Sequence, residues 1–168
     1  KENPDYIKNF VKNLGIDYGG ELYESASIGG FDGVSPVQMS AAYAAYGRGG
    51  YYIKPYSYTK IEILETGKII EKKTEKVKVM SEETAYMITS MLITASSRGV
   101  GGVSVSGTQI AAKSGTTNLD KATTEKLGIP ASSTRDAWNI TYSPEYSIAL
   151  WIGYDVNNSE HYLNATIG

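Results

Sequence analysis

The chain contains no cysteine, one histidine (His161) and three arginines, and no uncharged apolar run reaches the length of a membrane span. Without cysteine there is no disulfide framework, no thiolate metal site and no thiol nucleophile. One histidine excludes a His-rich metal centre and leaves a Ser-His-Asp triad poorly supported. No stretch of roughly 18 apolar residues is present to cross a bilayer. Sixteen basic against eighteen acidic residues leave a net charge of −2. That balance gives no electrostatic footprint for a phosphate backbone, so nucleic acid is not an expected partner.

What is present describes a globular domain. The 168 residues are 41% hydrophobic and 20% charged, and fourteen are tyrosines, which suit strands and an aromatic-lined cleft. For 18.2 kDa, area scaling predicts roughly 8,100 Å² of folded surface against roughly 26,000 Å² unfolded, about 69% buried. The chain starts at Lys1 without a signal-peptide pattern, and the expectation is a piece of a longer polypeptide.

Three helices are legible. Asn3 and Pro4 open the first, whose stripe Tyr6, Ile7, Phe10, Val11 and Leu14 stops at Gly15. Ser35-Pro36 opens the second, through Val37, Met39, Ala42 and Tyr46, with small alanines at 41, 42, 44 and 45 and Gly49-Gly50 as its end. Ser81 caps the third, followed by two acids and by Tyr86, Met87, Met91 and Leu92, and Arg98-Gly99 ends it. Between the second and third helices the period becomes two, with Thr66-Gly67 turning a strand pair near residues 58–64 and 68–71. Gly99, Gly101, Gly102 and Gly107 mark a loop that bends tightly. Three strands follow, expected over 108–117, 138–143 and 146–154, the last two joined at Ser143-Pro144-Glu145, with a polar stretch over 118–136 before them. This order is α+β rather than a βαβ alternation.

The sharpest local signal is Lys113-Ser114-Gly115-Thr116-Thr117. On a strand, Ser114 and Thr116 share one face while Lys113 and Gly115 share the other. A cation and hydroxyls beside bare backbone suit a carboxylate and a developing oxyanion. Taken alone, the run reads more readily as a solvated strand end leading to a turn. Trp138 and Trp151 read as core, His161 as an exposed histidine without partners, and Asp155 and Glu160 as loop charge. Asn139-Ile140-Thr141, Asn157-Asn158-Ser159 and Asn164-Ala165-Thr166 are accidental glycosylation matches.

Lys113-Ser114-Gly115 resembles the Lys-Thr-Gly of the active-serine penicillin-recognising enzymes. The surrounding blocks make the resemblance specific to class A (bifunctional) penicillin-binding proteins. They are the run from Ala41-Ala42-Tyr43 to Lys54-Pro55, then Ser81 to Met87, Arg98-Gly99-Val100-Gly101, Asp136-Ala137-Trp138 and Trp151-Ile152-Gly153-Tyr154-Asp155. They run in unbroken order from about Tyr6 to Ile167.

Two departures accompany it. Ser114 replaces the usual threonine and keeps the hydroxyl. The nucleophile is absent: the only Ser-x-x-Lys, Ser57-Tyr58-Thr59-Lys60, falls in an alternating stretch where a helix start is required, and no Ser-x-Asn occurs.

The resemblance implies that residues 1–168 are the C-terminal portion of a single transpeptidase domain, a partial β-lactamase-like fold with a five-stranded antiparallel sheet flanked by helices. It implies D,D-transpeptidation of peptidoglycan stem peptides through a serine acyl-enzyme, inhibition by β-lactams, and no cofactor or metal. Lys113 and Thr116 would be catalytic, Lys113 assisting proton transfer and the Thr116 N–H forming half of the oxyanion hole. Ser114, Gly115, Thr116 and Thr117 would bind substrate. Expected partners are the upstream half of the same domain, stem peptides and β-lactams, at the extracytoplasmic face of the bacterial membrane. The rival expectation is a β-lactam sensor or inactive homologue that binds without turnover; a purely structural complementing subunit would require a split gene.

Overall fold

The computed structural model describes residues 4–17, 26, 33–98 and 105–164. Its elements in chain order are α1 (Pro4–Asn13), α2 (Pro36–Gly47), β1 (Tyr51–Ile53), β2 (Lys60–Ile63), β3 (Lys68–Glu71), β4 (Lys76–Lys78), α3 (Glu82–Ser97), β5 (Ala111–Asn118), α4 (Lys121–Leu127), β6 (Thr134–Tyr142) and β7 (Ser147–Gly153). Three antiparallel pieces result: β1 with β4, β2 with β3, and the sheet β5-β6-β7. The architecture is α+β.

Local chemistry explains the helices. Ser35 and Gln38 form a reciprocal capping box: the Gln38 N–H donates to Ser35 Oγ (3.3 Å) and the Ser35 N–H to Gln38 Oε1 (3.0 Å). Ser35→Ala is therefore expected to lower stability by about 1 kcal/mol, with the denaturant midpoint falling and the m-value unchanged in chemical unfolding of the complete domain. An unchanged midpoint would remove the cap from the account. After α2 the chain reverses at Gly50, whose φ of +90° and close approach to the Met80 carbonyl leave no space for a Cβ. That reversal lets the Val79 N–H donate to the Gly50 carbonyl (2.9 Å), which brings β4 alongside β1.

The main core lies between α1, α2 and β1, where Leu14, Ile16, Ala41, Ala42, Ala45 and Tyr52 are buried. The alanines of α2 permit the close packing their size predicts. A reciprocal pair of 2.8 Å bonds between Ser40 and Ser147, each hydroxyl donating to the other's carbonyl, pins α2 to β7.

The structure corrects several expectations. The strand expected from Thr108 begins at Ala111, because Thr108 instead closes a turn with Val105. The strand expected from Trp138 begins at Thr134, whose N–H donates to the Leu163 carbonyl (2.9 Å). The polar stretch before it contains α4, capped by Asp120 at one end and closed by Gly128 at φ +67°. The β1–β4 pair was not anticipated. His161 is exposed but not partnerless: its Nδ1 lies 3.0 Å from Asn158 Nδ2, and its ring stacks on Tyr154. The chain exposes 12036 Å², about half again the roughly 8,100 Å² of a compact domain. The cap at Asn3, the turn at Gly99–Gly102 and the segment after Asn164 lie outside the described residues.

Candidate active-site edge

The orientation of β5 follows from the hairpin that ends β6. The Ser143 N–H donates to the Tyr146 carbonyl (2.8 Å), so the pair Ser143–Tyr146 is hydrogen-bonded. Antiparallel pairs alternate between bonded and non-bonded. With the registers of β6 on β7 and on β5, the odd residues of β6 bond to β7 and its even residues bond to β5. On β5 the bonded positions are then Ala111, Lys113, Gly115 and Thr117. The backbone N–H and C=O groups of Ala112, Ser114 and Thr116 point the other way, to an edge that no strand among the described residues covers.

Side chains alternate as the pleat requires. Lys113, Gly115 and Thr117 stand on the face that carries Ile140, Trp138 and Asp136 of β6. This is the face that α2 and α3 cover at the Ala111 end. Ser114 and Thr116 stand on the opposite face, in line with Leu150 and Ile152. Lys113, Ser114, Thr116 and Thr117 are exposed. Although the Lys113 side chain leaves from the helix side, its ammonium donates to the Ser114 carbonyl. The charge is thereby held at the uncovered edge, beside the Thr116 N–H.

A Cβ at Gly115 would make only ordinary contact, 3.6 Å from Trp138 Cβ. The chain's own packing does not demand glycine there, and the space above the backbone stays open to an approaching group. Trp138 and Trp151 lie across β6–β7 from each other, half-buried with ring centroids 6.5 Å apart, and form the floor next to Gly115. Asp136 faces Thr117, and its Oδ1 is buried without a hydrogen-bond partner.

The Ser57–Lys60 run is not helical; Lys60 opens β2 and pairs with Glu62 at 3.6 Å. Ser57 is therefore not expected to acylate. Peptide mass spectrometry after β-lactam treatment should find no adduct on the segment containing Ser57; a mass shift there would displace the whole assignment. Among the described residues, no three His, Cys, Asp or Glu side chains converge as metal ligands. The aromatic cluster Tyr43, Tyr46 and Tyr142, with Thr89 bonded to the Tyr142 hydroxyl (2.9 Å), was not anticipated. The tyrosine count hinted at it, but the three rings come from two distant elements.

Comparison with known proteins gives these features a setting. Residues 3–166 match the family described as penicillin binding protein transpeptidase domain. Penicillin-binding protein 1A/1B of Bacillus subtilis is 36% identical over 160 residues, covering 92% of this chain and 17% of the relative. Penicillin-binding protein 1A of Streptococcus oralis is 34% identical over 158 residues, covering 89% of this chain and 25% of the relative. Among solved structures, the PonA1 protein from Mycobacterium tuberculosis in complex with penicillin V superposes with a TM-score of 0.74 at 20% identity, over 91% of this chain and 42% of that one. The chain thus spans between 17% and 25% of the length of these curated relatives.

Proposed function

This chain belongs to the penicillin-binding protein transpeptidase family, and from that premise we propose that it is the C-terminal portion of a serine D,D-transpeptidase domain that cross-links peptidoglycan stem peptides and is acylated by β-lactams. The observation that supports this reading most directly is the uncovered edge of β5, where a lysine ammonium and a free backbone N–H converge in the family's own sequence block.

The nucleophilic serine lies in polypeptide outside residues 1–168. It attacks the D-Ala-D-Ala amide, the tetrahedral intermediate collapses with loss of D-Ala, and the amine of a second stem takes the acyl group. In this scheme the Thr116 N–H supplies half of the oxyanion hole, the nucleophile's own N–H the other half. The hydroxyls of Ser114 and Thr116 bind the terminal carboxylate. Lys113 places positive charge beside that carboxylate and assists proton transfer to the leaving amine. Gly115 leaves room for the substrate backbone, and Thr117 continues the wall. The chemistry uses no metal and no cofactor.

The implied partners are the upstream half of the domain, stem peptides and β-lactams. The implied location is the extracytoplasmic face of the bacterial membrane, through an anchor outside this chain; no helix among the described residues is long and apolar enough to cross a membrane. The test uses the full-length protein, with a fluorescent penicillin and a stem pentapeptide. Covalent labelling together with D-Ala release supports transpeptidation. Labelling without release, even with an acceptor amine present, would assign a sensor instead.

A further inference from the structure

At the Ala111 end of β5, on the helix-covered face, lies a cavity of about 240 Å³. Its walls include Tyr46 and Gly47 at the end of α2, Glu82, Tyr86 and Thr89 on α3, and Tyr142 of β6. Among the described residues, Glu82 is the only charged side chain in the lining; Arg48, which follows Gly47, is exposed and outside it. We propose that this cavity is a binding site for a small organic cation, an alkylammonium group seated against the rings of Tyr46, Tyr86 and Tyr142 with its charge toward Glu82.

Aromatic faces carry negative quadrupolar charge and attract a cation seated over them, best a weakly hydrated alkylammonium that sheds its water readily. Three tyrosines around one carboxylate supply that combination. Glu82 and Tyr86 are one turn apart on α3 and share a face, and Thr89 continues it. The carboxyl end of α2 presents the negative end of its dipole at Gly47, opposite the positive end of α3, in whose first turn Glu82 sits.

The cage is preformed on two sides. Tyr46 packs edge-on against Tyr43 with centroids 5.7 Å apart, and the buried Tyr142 is held by its bond to Thr89 (2.9 Å). Burial pushes the Tyr46 and Tyr142 phenols above their ordinary range, the Thr89 bond opposing it at Tyr142, so these two rings offer neutral faces. The volume lies below that of sites for drug-sized ligands, about 300–1,000 Å³, which fits an ammonium head and excludes a whole stem peptide. No lining residue has a role in the acyl-transfer scheme, so this site stands or falls independently of it.

The test uses the full-length protein, with choline as probe and 3,3-dimethyl-1-butanol as its uncharged isostere, followed by saturation-transfer NMR. Choline is expected to saturate in the millimolar range, with the isostere about tenfold weaker. Glu82→Gln should weaken choline about tenfold, leave the isostere unchanged and leave fluorescent-penicillin labelling intact. Equal binding of probe and isostere, unaltered choline binding by the variant, or no saturation by choline would each overturn the site. Should Glu82→Gln also lose labelling through misfolding, the exposed Tyr86 decides. Choline affinity kept in Tyr86→Phe and lost in Tyr86→Leu supports the cage, and equal affinity in the two rejects it.

Discussion

Replacing Lys113 with alanine in the complete domain is expected to slow acylation by a β-lactam about 10²–10³-fold, or about 2.7–4 kcal/mol of transition-state stabilisation. The size follows from where the ammonium sits. Lys113 departs from the helix-covered face, yet its Nζ is bonded to the Ser114 carbonyl at the open edge. There it lies beside the Thr116 N–H that would meet the oxyanion. A fixed positive charge at that point is already oriented before reaction, so it costs no reorganisation when negative charge develops. Alanine removes the charge without disturbing the ladder, because the backbone of Lys113 remains paired with Ile140. Ser114→Thr is the contrasting variant: it keeps the hydroxyl on the same face and should change the rate by less than about twofold, well under the tenfold that 1.4 kcal/mol represents. Both rates are read from time courses of fluorescent-penicillin labelling. Wild-type kinetics in Lys113→Ala would remove Lys113 from the catalytic machinery, and a large loss in Ser114→Thr would mean that position 114 tolerates only serine's shape.

The helices were legible because their signals are local. Ser35 and Ser81 each accept from the backbone three residues on, and both helices run nearly where the caps and apolar period predict. The strand starts were less legible because they are set by distant partners. Thr134 is polar, so its neighbourhood reads as loop, but it is buried against Leu163 at the far end of the sequence. Helix α4 lacks the apolar stripe that announces a helix; only the Asp120 cap and Gly128 mark it.

The site divides in the same way. The residues Lys113 to Thr117 stand out in the sequence, and their alternation on a strand is simple arithmetic. Which of their backbone groups face outward is decided twenty-six residues later, by the Ser143–Tyr146 pair that sets the parity of the whole sheet. The tyrosine cavity was illegible because its rings converge from α2, α3 and β6.

The 168 residues expressed alone are expected neither to unfold cooperatively nor to be labelled by penicillin, and addition of the complementary part of the domain should restore both. The reason lies in the uncovered face and edge of the sheet. On the face opposite the helices, Ile148, Leu150 and Ile152 of β7 stand in a row, 63%, 54% and 39% exposed. Fully burying one such side chain is worth about 1.5–3 kcal/mol, so leaving the row half-bare forgoes about 3 kcal/mol, a large share of the 5–15 kcal/mol that keeps a domain folded. The surface tells the same story on a larger scale. The 12036 Å² exposed exceeds the compact-domain expectation by about 3,900 Å². The edge of β5 compounds the problem, since its exposed backbone at Ser114 and Thr116, paired with no strand among the described residues, invites pairing between chains. Under the proposed roles the isolated chain holds an oxyanion donor and a cation, while its one Ser-x-x-Lys, at Ser57, is not helical and its sequence contains no Ser-x-Asn. Thermal unfolding followed by circular dichroism, with dye binding to exposed apolar surface, reads the first half of the claim, and gel fluorescence after penicillin treatment reads the second. A sharp transition in a soluble monomer would show that the bare face is tolerated, and a labelled band would place a nucleophile within residues 1–168.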